Sequence, residues 1–119
     1  MSETNTADRT LTLFMLVKTS PEWLGLPIDK RLEEGRRHFQ PLLEEFKGKV
    51  RFKWYDTEFY NARVTDVWML EADDHLSHQI FCEKLRETPF WDRYFQIVEI
   101  LPGELKAWAK NDDVAPLQS

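Results

Sequence analysis

The sequence is poor in residues that would mark several common classes of small protein. Its 119 residues include a single cysteine, Cys82, so an intrachain disulfide scaffold is excluded. Its four glycines form no glycine-rich phosphate-binding motif. No apolar run approaches the roughly 18 residues that suggest a membrane-spanning helix. We therefore expect a chain without disulfides, a phosphate loop or a membrane span.

Basic residues are also in the minority. Sixteen lysines and arginines stand against 21 aspartates and glutamates, which gives a net charge of −5 at pH 7. Because the basic residues are interleaved with acidic ones, we expect no nucleic-acid partner. The N-terminal segment lacks the basic start and apolar core of a signal peptide, which predicts a cytoplasmic protein.

The hydrophobic residues, 42% of the chain, are enough for one core. Residues 1–9 contain little that could be buried, so we expect a flexible N-terminal tail there. A single α+β domain should cover residues 10–105, followed by a C-terminal tail over 106–119 that carries a short helical turn at Trp108. The chain is thus predicted to have one domain and two tails.

Hydrophobic periodicity predicts four strands and two helices. The strands are expected at 11–18, 49–55, 63–71 and 94–101, the first as a central strand and the second as an edge strand. A helix from 27 or 28 to 46 should present Leu32, Phe39, Leu43 and Phe46 on one stripe, with a kink or restart near Gln40. A second helix should begin at Asp73 or Asp74 and end near residue 87.

The element order β-α-β-β-α-β predicts a ferredoxin-like fold. Right-handed crossovers would place both helices on one face of a four-stranded antiparallel sheet. The strands are apolar on both sides, so the uncovered face is expected to meet another sheet. Self-association into a two-fold homodimer, as in a dimeric α+β barrel, is the simplest arrangement.

Two segments carry a family resemblance. These are L-F-M-L-V-K-T-S-P-E-W-L over residues 13–24 and L-R-E-T-P-F-W-D-R-Y-F-Q-I-V-E-I-L-P-G over residues 85–103. With F-Q-P at 39–41 and V-T-D-V-W-M at 64–69, they resemble the darcynin family of small bacterial proteins. The fold is similar to that of dimeric α+β barrel proteins, which include cofactor-free monooxygenases, lactone isomerases, cyclases and haem-binding enzymes. The resemblance therefore leaves the chemistry open.

Asp66 is the strongest candidate for a catalytic group. It interrupts the otherwise apolar face of the third predicted strand, made of Ala62, Val64, Trp68 and Leu70. Burial would raise the pKa of this carboxyl and make it a general base or acid near neutral pH. The structural alternative is an ion pair or a hydrogen bond to a turn, with Arg63 or Lys18 as the expected partners.

Gly35 is predicted to mark either a close helix–sheet contact or a ligand space. A glycine inside a helix costs about 1 kcal/mol relative to alanine, so its missing side chain should serve one of these purposes. Four aromatic residues are expected to line such a space: Phe39, Trp54, Tyr55 and Trp68. His38 is expected to assist Asp66 in catalysis, with a structural role as the alternative.

Two other sets of residues give weaker signals. His75, His78 and Cys82 have helical spacing that suits a metal, but their face is expected to be solvated and to lack a fourth ligand, so no metal site is predicted. Glu99 is predicted to interrupt an apolar face of the fourth strand shared with Phe95, as part of a salt bridge or a dimer contact.

Together these patterns predict a homodimer that binds an apolar or aromatic small molecule between sheet and helices. If the protein is an enzyme, we expect a cofactor-independent cyclase, isomerase or monooxygenase that needs no metal. The alternative is a non-enzymatic dimeric binding or interaction protein. A roomy apolar pocket containing Asp66 would favour the enzyme, and a fully packed helix–sheet interface would favour the alternative.

Overall fold

The computed structural model describes residues 10–115. The tail predicted over 1–9 and the end of the tail predicted over 106–119 lie outside the described residues. In chain order the elements are β1 (Leu11–Thr19), α1 (Pro21–Gly25), α2 (Ile28–Glu34), a π-helical segment (Gly35–Phe39), α3 (Gln40–Glu45), β2 (Val50–Asp56), β3 (Asp66–Ala72), α4 (His75–Arg86), β4 (Phe95–Gly103) and α5 (Ala107–Asp112).

The four strands form one antiparallel sheet in the order β2-β3-β1-β4. This order confirms the predicted α+β, ferredoxin-like fold, with β1 in the centre and β2 at an edge. The core lies between the helices and one face of the sheet, where Met15, Val17 and Trp68 are fully buried. Between residues 10 and 115, no helix is both long and apolar enough to cross a membrane.

β3 begins at Asp66, three residues later than predicted. The preceding residues form a turn in which the Asn61 side chain accepts hydrogen bonds from the backbone N–H groups of Arg63 and Val64, both at 2.9 Å. Ala62 and Val64 therefore do not continue the strand face of Asp66, as the alternation suggested. Asp66 instead stands at the end of the strand.

The first predicted helix is a chain of three helical pieces. α3 restarts at Gln40, as predicted, because Pro41 lies in its first turn, where a missing N–H is tolerated. The π-helical segment before it adds a residue to one turn and rotates the helical residues beyond that turn. The predicted stripe is consequently broken: Phe39 is buried, whereas Leu32 is 56% exposed.

The buried face of α4 includes the apolar Phe81 and Leu85, but it is shifted so that it also includes His78. Asp74 caps α4 by accepting from Ser77 N–H at 2.7 Å, and His78 is buried while Leu76 is exposed. The prediction that His78 lies on a solvated face was wrong. Its Nε2 donates to the carbonyl oxygen of Leu11 at 2.8 Å, so the ring connects α4 to the start of β1.

β4 carries a bulge that changes its faces. Leu16 pairs with Glu99 and Val17 with Ile97, so one extra residue, Val98, is accommodated between them. Glu99 therefore lies on the sheet face away from the helices, opposite to Ile97. The predicted sharing of one face by Phe95, Ile97 and Glu99 was wrong because strict alternation stops at the bulge.

A tryptophan fixes the junction of β1, α1 and β4. Ser20 caps α1 by accepting from the Trp23 N–H at 3.1 Å. The Trp23 ring then packs against three aromatic rings at centroid distances of 5.1–5.4 Å: Phe90, Tyr94 and Phe95. This cluster forms one end of the space between sheet and helices.

Candidate functional site

Two neighbouring cavities lie between the α1–α2 region and the helix-facing side of the sheet, and we name them the two lobes of one cleft. Both are lined by Trp23, Arg31, Leu32 and Trp54, so they adjoin along these side chains. One lobe, of about 470 Å³, is named the apolar lobe and is further lined by Gly35, Arg36, Phe39, Gln40, Leu43, Phe52 and Phe90. The other, of about 710 Å³, is named the acidic lobe and includes Asp56, Glu58 and Asp66.

Asp66 sits in the wall of the acidic lobe with only 3% of its surface exposed. Trp54 Nε1 donates to its Oδ1 at 2.9 Å, and Thr65 Oγ1 donates to its Oδ2 at 2.7 Å. Within residues 10–115 no cation forms a salt bridge with it, so an ion pair with Arg63 or Lys18 is not seen. The other form of the predicted alternative, a hydrogen bond to the segment before the strand, is present, but its donor is Thr65.

Two further acids surround this carboxyl. Asp56 is the direct cross-strand partner of Asp66 in the β2–β3 register, and Glu58 follows two residues later. Carboxylate oxygens of the three residues lie within 4.8 Å of one another. Asp56 and Glu58 therefore place negative charge beside the buried Asp66. Among the described residues, no cation forms a salt bridge with any of the three.

The environment raises the pKa of Asp66 to about 6. Burial is the largest cause, while the hydrogen bonds from Trp54 and Thr65 act in the opposite direction. A hydrogen bond with Asp56 and the charge of Glu58 raise the pKa further. A carboxyl with this pKa can take up and release protons close to neutral pH, which a general acid–base catalyst requires.

Aromatic rings form the wall that joins the lobes. The Trp54 ring lies 5.2 Å from the centroids of both Trp68 and Phe95, and Phe39 lies 4.9 Å from Phe52. Trp54 and Phe39 line the cleft, as predicted for a ligand space. Trp68 is fully buried behind Trp54, so it shapes the wall without lining it.

Gly35 lines the apolar lobe. A Cβ added at this position would meet no atom within 4 Å. The prediction that the glycine permits close helix–sheet packing is therefore wrong, and the other explanation, room for a ligand, remains.

Two predicted site residues lie away from Asp66. Tyr55 points to the opposite face of β2, because it neighbours Trp54 on an alternating strand. His38 lines a separate cavity with Tyr94, where its Nε2 is 3.5 Å from Glu34 Oε1. Tyr94 Oη donates to that same Glu34 oxygen at 2.7 Å. The structure thus places His38 in a polar network that connects α2 with the segment before β4.

Asp56, Glu58 and Arg31 are site residues that the sequence did not reveal to us. Asp56 continues the alternation of Val50, Phe52 and Trp54, so its face could have been predicted, but its pairing with Asp66 depends on strand register. Arg31 donates from Nε to the carbonyl oxygens of Trp23 and Leu26 at 3.1 and 3.0 Å. Only the tertiary fold brings those carbonyls to the guanidinium.

Comparison with known proteins establishes the family. The profile described as "Darcynin, domain of unknown function" matches residues 1–119. The chain belongs to the darcynin family. It is 55% identical over 101 residues to a darcynin homolog of Granulibacter bethesdensis, covering 85% of this chain and 82% of the relative. It is 48% identical over 107 residues to one of Streptomyces avermitilis, covering 90% and 88%.

Solved structures confirm the fold of this darcynin family member. Chlorite dismutase from Candidatus Nitrospira defluvii in complex with imidazole matches with a TM-score of 0.68 at 18% identity, over 80% of this chain and 39% of that chain. A mutant of the same enzyme in complex with cyanide matches with a TM-score of 0.67 at 18% identity, over 87% and 44%. The chain therefore spans less than half the length of these structures, and at such identity the likeness shows the fold alone.

Proposed function

We propose that the cleft binds an apolar or aromatic small molecule and that Asp66 transfers protons to and from it. The observation that carries this proposal is a buried carboxyl at the wall of an open aromatic cleft, held by two neutral donors. A roomy apolar pocket containing Asp66 was the feature expected of the enzyme; Asp66 lines the acidic lobe, and the apolar lobe adjoins it. No cofactor is needed for the proposed step.

The proposed reaction begins with a proton transfer to the Asp66 carboxylate. Its carboxylate would accept a proton from a carbon acid bound in the cleft and return a proton to another atom of the resulting carbanion, which is an isomerisation. Attack of that carbanion on a carbonyl carbon of the same ligand would be a cyclisation, with the proton returned to the resulting alkoxide. Addition of the carbanion to dioxygen, which is the oxidant, would form a C–O bond, and the resulting peroxide anion would take up the proton to give a hydroperoxide. Trp54 and Thr65 hold the carboxylate oxygens in fixed directions during these transfers.

The fold comparison is consistent with this proposal. The chlorite dismutase structures include complexes with imidazole and with cyanide, so small ligands bind to those proteins. The assignment to this chain rests on the cleft and on Asp66.

Deuterium exchange tests the proposed proton transfer without a known substrate. Phenylacetone offers an aromatic body and an acidic benzylic C–H, and NMR in D₂O at pD 7.5 follows its exchange. We expect the protein to accelerate exchange and Asp66→Asn to abolish the acceleration. Glu83→Gln is the matched control, because Glu83 is an exposed acid on α4 that lines neither lobe of the cleft. Equal exchange in the wild-type protein and Asp66→Asn would contradict the role of Asp66.

A homodimer through the open sheet face is the second proposal, and it can hold with or without catalysis. Phe14 is 39% exposed and Leu101 44% exposed, and the two are cross-strand partners on that face. Met69 pairs with Phe14 from the other side, which extends the apolar row. Large exposed apolar patches of this kind mark protein interfaces.

Sedimentation equilibrium tests the dimer. We expect a dimer for the wild-type protein and a monomer for Phe14→Glu, because a charge on this row would be desolvated at the interface. Tyr60→Glu is the control, since Tyr60 is an exposed aromatic residue in the β2–β3 connection. A wild-type monomer at 100 μM would exclude the dimer.

A further inference from the structure

We propose that the ligand of the cleft is an elongated monoamine, with its ammonium group in the acidic lobe and its aromatic or aliphatic body in the apolar lobe. This inference rests on the proposed small-molecule binding and specifies the ligand class. It is carried by the unequal polarity of two adjoining lobes, by the hydrogen bonds of Arg31 to backbone carbonyl oxygens and by the open space at Gly35.

The acidic lobe contains negative charge that the described residues do not neutralise. Three carboxyl groups have oxygens within 4.8 Å of one another. Arg31 is the one cation among the described residues that line this lobe. Its Nε donates to two backbone carbonyl oxygens, and its Nη2 donates to that of Leu24 at 3.0 Å. The guanidinium thus holds α1 to α2 instead of pairing with the acids.

An ammonium group satisfies the acidic lobe better than other polar head groups. It would supply the missing positive charge and donate hydrogen bonds to carboxylate oxygens. A carboxylate head would meet like charge, and a hydroxyl head would supply a hydrogen bond without neutralising any charge.

The apolar lobe determines the shape of the molecule. It continues from the acidic lobe along Leu32 and Trp54 and is lined by Phe39 and Phe52. Gly35 leaves this space open, so a body several carbons long can extend past α2. Arg36 lies in the lining of this lobe, and its positive charge disfavours a second ammonium group there. The cleft therefore suits a monoamine rather than a diamine.

Three ligands that share a phenylbutyl body and differ in their polar head group test the inference. We would measure the binding of 4-phenylbutylamine, 4-phenylbutanol and 4-phenylbutyrate by calorimetry at pH 7.5. We expect the amine to bind about tenfold or more tightly than the alcohol, from hydrogen bonds to charged groups, and the carboxylate to bind most weakly. Asp66→Asn should reduce the preference for the amine over the alcohol, because it removes one of the negative charges that the ammonium group would meet.

The length of the ligand is tested at Gly35. The residue has a right-handed helical conformation, with φ of −62° and ψ of −44°, so a side chain introduces no backbone strain. Gly35→Met should weaken 4-phenylbutylamine binding several-fold and spare the shorter benzylamine. Gly35→Ala, which adds one methyl group, is the matched control for the change in helix propensity.

The outcomes distinguish the proposed amine ligand from the more general proposal that the cleft binds a small molecule. If 4-phenylbutanol binds and the amine binds no more tightly, the ammonium assignment is overturned and ligand binding survives. If 4-phenylbutyrate binds as tightly as the amine, the charge argument is equally wrong. If neither the alcohol nor the amine binds, both the amine inference and the proposed small-molecule function fail.

Discussion

Replacing Asp66 by asparagine should stabilise the folded protein at alkaline pH and not at acidic pH. The pKa of the carboxyl is about 6 in the folded chain, compared with its ordinary value of 3.8. Between these two pH values the folded state binds more protons than the unfolded state. Stability therefore falls as pH rises through this window, and the loss is complete above the folded pKa.

The magnitude is set by the size of the shift. A difference between 3.8 and about 6 corresponds to about 3 kcal/mol of unfolding free energy, as an upper bound. Asparagine resembles the protonated acid in shape, and it removes the charge that Asp56 and Glu58 oppose. One of the two donors, Trp54 or Thr65, must however face the amide nitrogen, which offsets part of the gain. We expect a net stabilisation of about 1–2 kcal/mol at pH 8.

Urea unfolding at pH 4, 5, 6, 7 and 8 measures this effect. The difference between Asp66→Asn and the wild-type protein should grow between pH 4 and 7 and then level off. Glu83→Gln should show no such pH-dependent gain, because Glu83 is an exposed acid on α4. A stability difference that stays constant over the whole series would refute the argument that Asp66 is held in a destabilising environment.

Three other substitutions test individual contacts. Trp54→Phe removes a hydrogen bond to Asp66 Oδ1 that lowers the pKa of Asp66, so carboxyl ¹³C NMR should show this pKa raised above the wild-type value. Gly35→Ala should raise the free energy of unfolding by about 0.5–1 kcal/mol in urea titrations, because the added methyl group meets open space in a helical conformation. Tyr94→Phe removes the 2.7 Å bond to Glu34 and should lower stability by about 1 kcal/mol, with Tyr55→Phe as the exposed control.

Most of the fold could be predicted because its signals are local. The alternation of Val50, Phe52 and Trp54 predicted an edge strand. Asp74 predicted the start of α4, and in the structure it caps this helix by accepting a hydrogen bond from the Ser77 N–H. Pro41 located the restart of the first helical region. Each of these signals depends on residues within a few positions along the chain.

The wrong predictions of which face a residue lies on arise where a helix or a strand contains one extra residue. The π-helical segment rotates Leu32 out of the stripe that contains Phe39, and the bulge in β4 moves Glu99 to the other face. Helical and strand periodicities assume a constant number of residues per turn or per pleat. A sequence pattern therefore gives the wrong face beyond such an insertion, even where the element itself is predicted correctly.

The site was predicted in part for the same reason. Asp66 stood out because it interrupts an apolar row, which is a local signal. Its partners depend on tertiary structure: the register that places Asp56 opposite Asp66, and the fold that engages Arg31 with backbone carbonyl oxygens. His38 borders the same helical region but faces Glu34 in a different cavity, and periodicity alone did not separate the two surfaces.

Several locally unfavourable features converge on the cleft. Asp66 is a buried acid beside other acids, Gly35 is a helical glycine whose Cβ would meet no neighbour, and a π-helical segment begins at that glycine. Behind Trp54, the buried Trp68 Nε1 has no hydrogen-bond partner in the described part of the chain. Each feature lowers stability by the usual physical rules. Their concentration around one cleft favours a binding or catalytic role for that cleft over a purely structural one.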